Sequence, residues 1–75
     1  MNPQTIRDAV RSSPFNAFTL RMNDGREFYV PHPELIAIGS THVYLIDEKT
    51  DRGIFLEPRL IASMEMEPGR SKSSQ

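Results

Sequence analysis

Two alternating runs of apolar and polar residues flank the segment Asn23-Asp24-Gly25. Phe18, Leu20 and Met22 share one side of the first run, and Phe28 and Val30 share one side of the second. That period of two is the signature of half-buried strands. Parity then selects the turn. A two-residue loop at Asp24-Gly25 sets Leu20 opposite Tyr29 and Met22 opposite Glu27, which sends Phe28 and Val30 to the polar side. A three-residue loop pairs Phe18 with Val30, Leu20 with Phe28 and Arg21 with Glu27, so every apolar residue faces one way. The pattern therefore predicts the three-residue loop, with Gly25 in the left-handed position of a bulge-type turn. Arg21 and Glu27 read as a solvated cross-strand pair.

A second hairpin is predicted from 41-46 and 53-56. The register that works pairs Val43 with Leu56, Tyr44 with Phe55, Leu45 with Ile54, and Asp47 with Arg52. Both faces of this hairpin are apolar: Val43, Leu45, Ile54 and Leu56 on one, Tyr44, Ile46 and Phe55 on the other. A sheet of this kind needs covering twice. The protein's own core supplies one cover; the other falls to an amino-terminal helix or to a second subunit.

The remaining elements are short. Asn2 is a good N-cap and Pro3 suits the first helical position, so a helix opens there, with Ile6, Ala9 and Val10 on one stripe. Ser12-Ser13-Pro14 ends it, since the residue before proline avoids the α region. Phe15 is expected to anchor the turn into the first hairpin. Pro31 and Pro33 terminate the strand at Val30, because neither donates to a ladder. Leu35 to Gly39 reads as a helical turn running into a strand, with a bend at Gly39. Glu57-Pro58-Arg59 breaks the chain before a last strand at 60-66, in which Met64 and Met66 read as core. A helix and then about five short strands predict a mostly β fold, a small five-stranded barrel with an N-terminal α-helix over residues 1-67. Residues 68-75, Pro-Gly-Arg-Ser-Lys-Ser-Ser-Gln, are polar and read as a disordered tail.

Composition narrows the function. With 75 residues and no cysteine, the chain holds one small core and no disulfide staple. Two histidines without cysteine do not spell out a structural zinc site. Oligomerisation is the stabilising route that is left, so a homo-oligomer is expected. The formal charge of −1 lacks the basic surplus of a duplex-DNA binder. No apolar run has membrane-spanning length and no signal-peptide core opens the chain, which predicts a cytoplasmic protein with no membrane partner. Nucleophile elbows and glycine-rich phosphate loops are absent, so no catalytic residue, cofactor or metal is assigned and no enzyme activity is expected.

The phrase Pro14-Phe15, Phe18, Leu20-Arg21, Asp24-Gly25-Arg26, Val30, His32-Pro33-Glu34 resembles a group of small bacterial proteins that carry no established activity. In architecture the chain resembles the Sm-like fold, a bent five-stranded barrel of the SH3-like type, over residues 2 to 66. That resemblance implies ring assembly by pairing the fourth strand of one subunit, here Ile54 to Leu56, with the fifth of the next, here Ile61 to Met66. Sm-like proteins bend their second strand at a glycine; here Phe28-Tyr29-Val30-Pro31 stands in its place. The Tyr-Lys-His stretch of bacterial Sm-like RNA chaperones is replaced by Phe55-Leu56-Glu57-Pro58-Arg59.

Two functional classes are consistent with these readings. The first is a non-enzymatic oligomeric interaction or assembly module. The second is an Sm-like single-stranded RNA binder, in which Arg26, His32, His42 and Arg59 contact nucleic acid and a tyrosine offers a stacking surface. Each residue also has a plain structural reading. His32 lies in a rigid turn between two prolines, with Glu34 near it in sequence. His42 opens a strand. Arg26 and Arg59 stand among carboxylates on an ordinary charged surface.

Overall fold

The computed structural model describes residues 1-67; the expected tail at 68-75 lies outside the described residues. The chain runs α1 (Pro3–Arg11), β1 (Phe18–Met22), β2 (Glu27–Val30), a 3₁₀ turn (Pro33–Leu35), β3 (Ile36–Ile38), β4 (Val43–Asp47), β5 (Arg52–Leu56), a second 3₁₀ turn (Pro58–Leu60) and β6 (Ile61–Met66). The strands form two antiparallel three-stranded sheets, in the orders β2-β1-β6 and β3-β4-β5.

The fold is mostly β with an N-terminal helix, but the expected small five-stranded barrel is corrected: among the described residues there are six strands in two sheets and no closed barrel. The reason lies in the prolines. Pro31-His32-Pro33 stops the ladder after β2, and the chain resumes as β3 only after a 3₁₀ turn. Pro58 separates β5 from β6 in the same way, and β6 crosses to pair with β1.

Both hairpin registers are those that parity selects. β1 and β2 pair Phe18 with Val30, Leu20 with Phe28 and Arg21 with Glu27. Gly25 takes φ 94° in the turn, where its N–H donates to the Met22 carbonyl at 3.0 Å. β4 and β5 pair Val43 with Leu56, Tyr44 with Phe55, Leu45 with Ile54 and Asp47 with Arg52. Asp47 does not spend its carboxylate on Arg52; it accepts from the backbone N–H of Lys49 at 2.8 Å and so fixes the loop.

The core lies between the sheets. Phe18, Leu20, Met22, Val30 and Ile61 come from one side, and Ile36, Val43, Leu45 and Leu56 from the other, all buried. The helix adds Ile6, fully buried, with Ala9 and Val10 half-buried beside it. Its start is capped as expected, the Asn2 side chain accepting from Gln4 N–H at 2.9 Å. α1 packs along β3, and the Met1 amine donates to the Pro58 carbonyl at 2.7 Å. Phe15 stacks obliquely on Phe18, ring centroids 5.9 Å apart. Met64 packs on the core, whereas Met66 is exposed at the end of β6, a correction to its reading as core.

Candidate functional site

The outer faces of the two sheets differ in chemistry. On the β2-β1-β6 sheet the outward positions include Thr19, Arg21, Glu27 and Glu65. Arg21 bridges this face, 2.7 Å from Glu27 and 3.1 Å from Glu65, with all three side chains solvated. The charged part of this face is satisfied by water, and Tyr29, paired with Thr19 and 50% exposed, is the large aromatic side chain on it. On the β3-β4-β5 sheet the outward positions are Ala37, Tyr44, Ile46, Gly53 and Phe55, by the register that pairs Ala37 with Tyr44, Tyr44 with Phe55 and Ile46 with Gly53. Phe55 is 72% exposed and Tyr44 37%, and their rings meet at 4.7 Å between centroids. Of the two expected covers, the helix is ruled out among the described residues. It spends Ile6 on the inner core and leaves this face open.

Gly53 is part of this surface. The Tyr44 ring folds across it, so that a Cβ at position 53 would collide with the phenol oxygen and the ring carbons. A glycine in a strand costs stability; here its bare backbone leaves the space that the Tyr44 ring fills beside Phe55. The result is a low aromatic platform bordered by β5, the outer strand of its sheet.

The four residues singled out for nucleic-acid contact do not converge. His42 and Arg59 line one open groove of about 560 Å³ with Thr41, Glu57 and Pro58. The His42 ring meets Phe55 edge-on at 6.3 Å, so this groove adjoins the aromatic platform. Arg59 is held by Glu57 at 2.8 Å. That hydrogen bond, with the charge of Arg59 and a smaller contribution from His42, keeps the Glu57 carboxyl below its ordinary pKa. Arg26 lies elsewhere, in a shallow depression with Met22, Asn23 and Leu60. It pairs with Asp24 at 2.8 Å and stands 5.7 Å over the Phe28 ring. The Arg26 backbone N–H, and then its side chain, lower the Asp24 pKa. His32 faces Glu48 at 3.7 Å, across the gap from β2 to the loop after β4. Glu34 is therefore not its closest acidic neighbour.

Among the described residues no three His, Asp or Glu side chains are grouped to hold a metal ion, and no helix is long and apolar enough to cross a membrane. A second groove, of about 290 Å³, opens where β2 passes β4. Sequence reasoning missed it, because it is made by the approach of two sheets and not by any local pattern. Comparison with family models, with curated proteins and with solved structures finds no match to this chain.

Proposed function

We propose that this chain is a non-enzymatic assembly module that associates with copies of itself through the outer face of the β3-β4-β5 sheet and the adjoining β5 edge. The observation that supports this most strongly is Phe55, 72% exposed and in tilted ring contact with Tyr44 beside a strand edge left unpaired among the described residues. Contiguous exposed aromatics mark interaction surfaces, and an unpaired strand offers a row of N–H and C=O groups to a neighbour. A second copy is the favoured occupant. The described sheets have four outer strands, β2, β6, β3 and β5, and of these β6 ends in exposed Met66, apolar like the platform on β5. The Sm-like resemblance points the same way, since it joins the strand at Ile54 to Leu56 to the strand at Ile61 to Met66 of the next subunit. In this reading β2 and β3 are the two halves of one Sm-like second strand, cut by Pro31-His32-Pro33.

Amide hydrogen exchange tests the pairing. The β5 amides that are not bonded to β4 should slow as protein concentration rises, together with amides of β6. Exchange at β5 that is fast and independent of concentration overturns the strand-pairing reading.

A second reading, single-stranded nucleic-acid binding, is supported by the adjacency of His42, Arg59 and the aromatic platform. It predicts that labelled single-stranded RNA binds with an affinity that falls steeply with salt. Arg59→Ala should weaken that binding several-fold, and Arg26→Ala, on a different surface, should not. RNA that fails to shift at low salt removes this reading and leaves the assembly module in place.

A further inference from the structure

The turn of the first hairpin carries the one aspartyl-glycine step in the sequence, Asp24-Gly25. Such a step has a chemistry of its own. The glycine backbone nitrogen attacks the aspartyl side-chain carbon Cγ; a C–N bond forms, a Cγ–O bond breaks, and one water leaves. Water then opens the cyclic imide at either carbonyl. One opening restores aspartate, and the other gives isoaspartate, whose backbone runs through Cβ and Cγ. The water lost is regained, so no oxidant or other reactant is needed. Glycine favours the attack because no side chain screens its nitrogen, and the Asp24 side chain is exposed to the water that the reaction uses. Three contacts in the folded turn oppose it. The Gly25 N–H donates to the Met22 carbonyl at 3.0 Å, which ties down the nitrogen that has to attack. Asp24 Oδ1 accepts from the Arg26 backbone N–H at 3.1 Å, and Oδ2 accepts from Arg26 Nε at 2.8 Å, so both oxygens are held towards residue 26. The same bonds, the backbone one first, keep the Asp24 carboxyl below its ordinary pKa. An ionised carboxylate is the poorer electrophile.

We propose that Asp24-Gly25 is a latent isoaspartate site, closed in the folded chain by the Arg26 side chain and opened when the turn comes apart. Arg26 then has a task within its own hairpin: it clamps the carboxylate two residues before it. The backbone around the site is pinned as well. The Met22 N–H donates to the Arg26 carbonyl at 2.8 Å and the Asn23 N–H to the Leu60 carbonyl at 2.9 Å, so reaching the reactive geometry means giving up contacts within the hairpin and to the turn before β6. The product does not fit the turn it came from. Isoaspartate lengthens the loop backbone by a carbon atom, whereas the loop that sets Arg21 opposite Glu27 has three residues, with Gly25 at φ 94°. An added backbone atom disturbs the register that keeps Phe28 and Val30 on the inner face. A converted chain is therefore less stable, and its turn opens more often.

Prolonged incubation of the full chain at neutral pH, followed by peptide mapping with electron-transfer fragmentation, tests this, because that fragmentation separates isoaspartate from aspartate at equal mass. Isoaspartate at residue 24 should form slowly in the folded protein and many-fold faster in urea. Arg26→Ala removes the Nε bond and keeps the backbone N–H; while still folded it should raise the rate several-fold. Arg21→Ala removes ion pairs from the same hairpin without touching the Asp24 contacts, so it should leave the rate near that of the unmodified chain. That comparison separates loss of the clamp from general weakening of the hairpin. Equal rates in the folded and unfolded chains overturn the proposal, since the turn then protects nothing. An absence of isoaspartate in urea overturns it too, since the step is then unreactive. So does an Arg26→Ala variant that converts no faster than Arg21→Ala, since hairpin stability and not Arg26 then governs the site.

Discussion

Replacing Phe18 with alanine leaves the unfolded state heavily populated at room temperature. Phe18 is fully buried and is the largest of the fully buried side chains. It sits on the central strand of its sheet, paired with Val30 on one side and Met66 on the other. Removing a buried phenylalanine ring costs about 3–5 kcal/mol, as lost transfer energy plus the cavity left behind. Domains hold roughly 0.05–0.15 kcal/mol per residue, which for the 67 described residues is about 3–10 kcal/mol in total. A core this small also relaxes around a void at the expense of its neighbours, Phe15 and Leu20 among them. Urea unfolding followed by circular dichroism, at one fixed protein concentration, checks this. A midpoint equal to that of the unmodified chain would show that the two sheets do not depend on Phe18. Phe55→Ala makes the same chemical change on an open face, so it should not destabilise the isolated subunit in this way.

The paired substitution Tyr44→Ser, Phe55→Ser should dissolve the assembly and leave the subunit folded. Neither ring belongs to the inner core, so the far-ultraviolet spectrum of the subunit should be kept. In the proposed self-association the loss falls on the interface. Burying one large apolar side chain is worth about 1.5–3 kcal/mol, so two rings are worth at least about 3 kcal/mol. That is a factor of more than about 100 in the dissociation constant. Arg21→Ser, Glu27→Ser on the other sheet makes the matched control, because that ion pair is solvated. If the control dissociates the assembly and the aromatic pair does not, the interface has been placed on the wrong sheet.

The fold is legible in the sequence to the extent that its contacts are local. Both hairpins can be registered by parity alone, because a one-residue slip would throw Phe28 and Val30, or Ile54 and Leu56, out of the core. The helix start at Asn2-Pro3 and the turn before Ile36 carry their own punctuation. The pairing of β6 with β1 has no such mark. Its partners lie more than thirty residues apart, joined by no turn, and its register shifts between Arg21 and Met22. The strand count is hidden for a related reason: two prolines can end a strand, but nothing near them says whether the chain will rejoin the same sheet or begin another. Met66 alternates correctly with Glu65, yet alternation does not report that the end of a strand is left in solvent.

The candidate site is legible only in part. That Tyr44, Ile46 and Phe55 share a face is set by the second hairpin's register, and so is the need for a cover. Which of two covers supplies it depends on where the helix lands, a tertiary matter decided by Ile6 entering the inner core. Arg26, His32, His42 and Arg59 have only their charge type in common along the sequence. The fold brings together His42 and Arg59, at the loops before β4 and after β5, and gives Arg26 and His32 separate acidic neighbours. Gly53 reads in sequence as a plain turn-adjacent glycine; its use as the bed for the Tyr44 ring needs the diagonal across two strands.

Sedimentation equilibrium on the unmodified chain addresses self-association most directly. Assembly through the aromatic platform requires a mass that rises with concentration from 8.6 kDa to a multiple of it within the micromolar range. A folded species of 8.6 kDa at every concentration, with the Tyr44 and Phe55 rings still open to solvent, would contradict it.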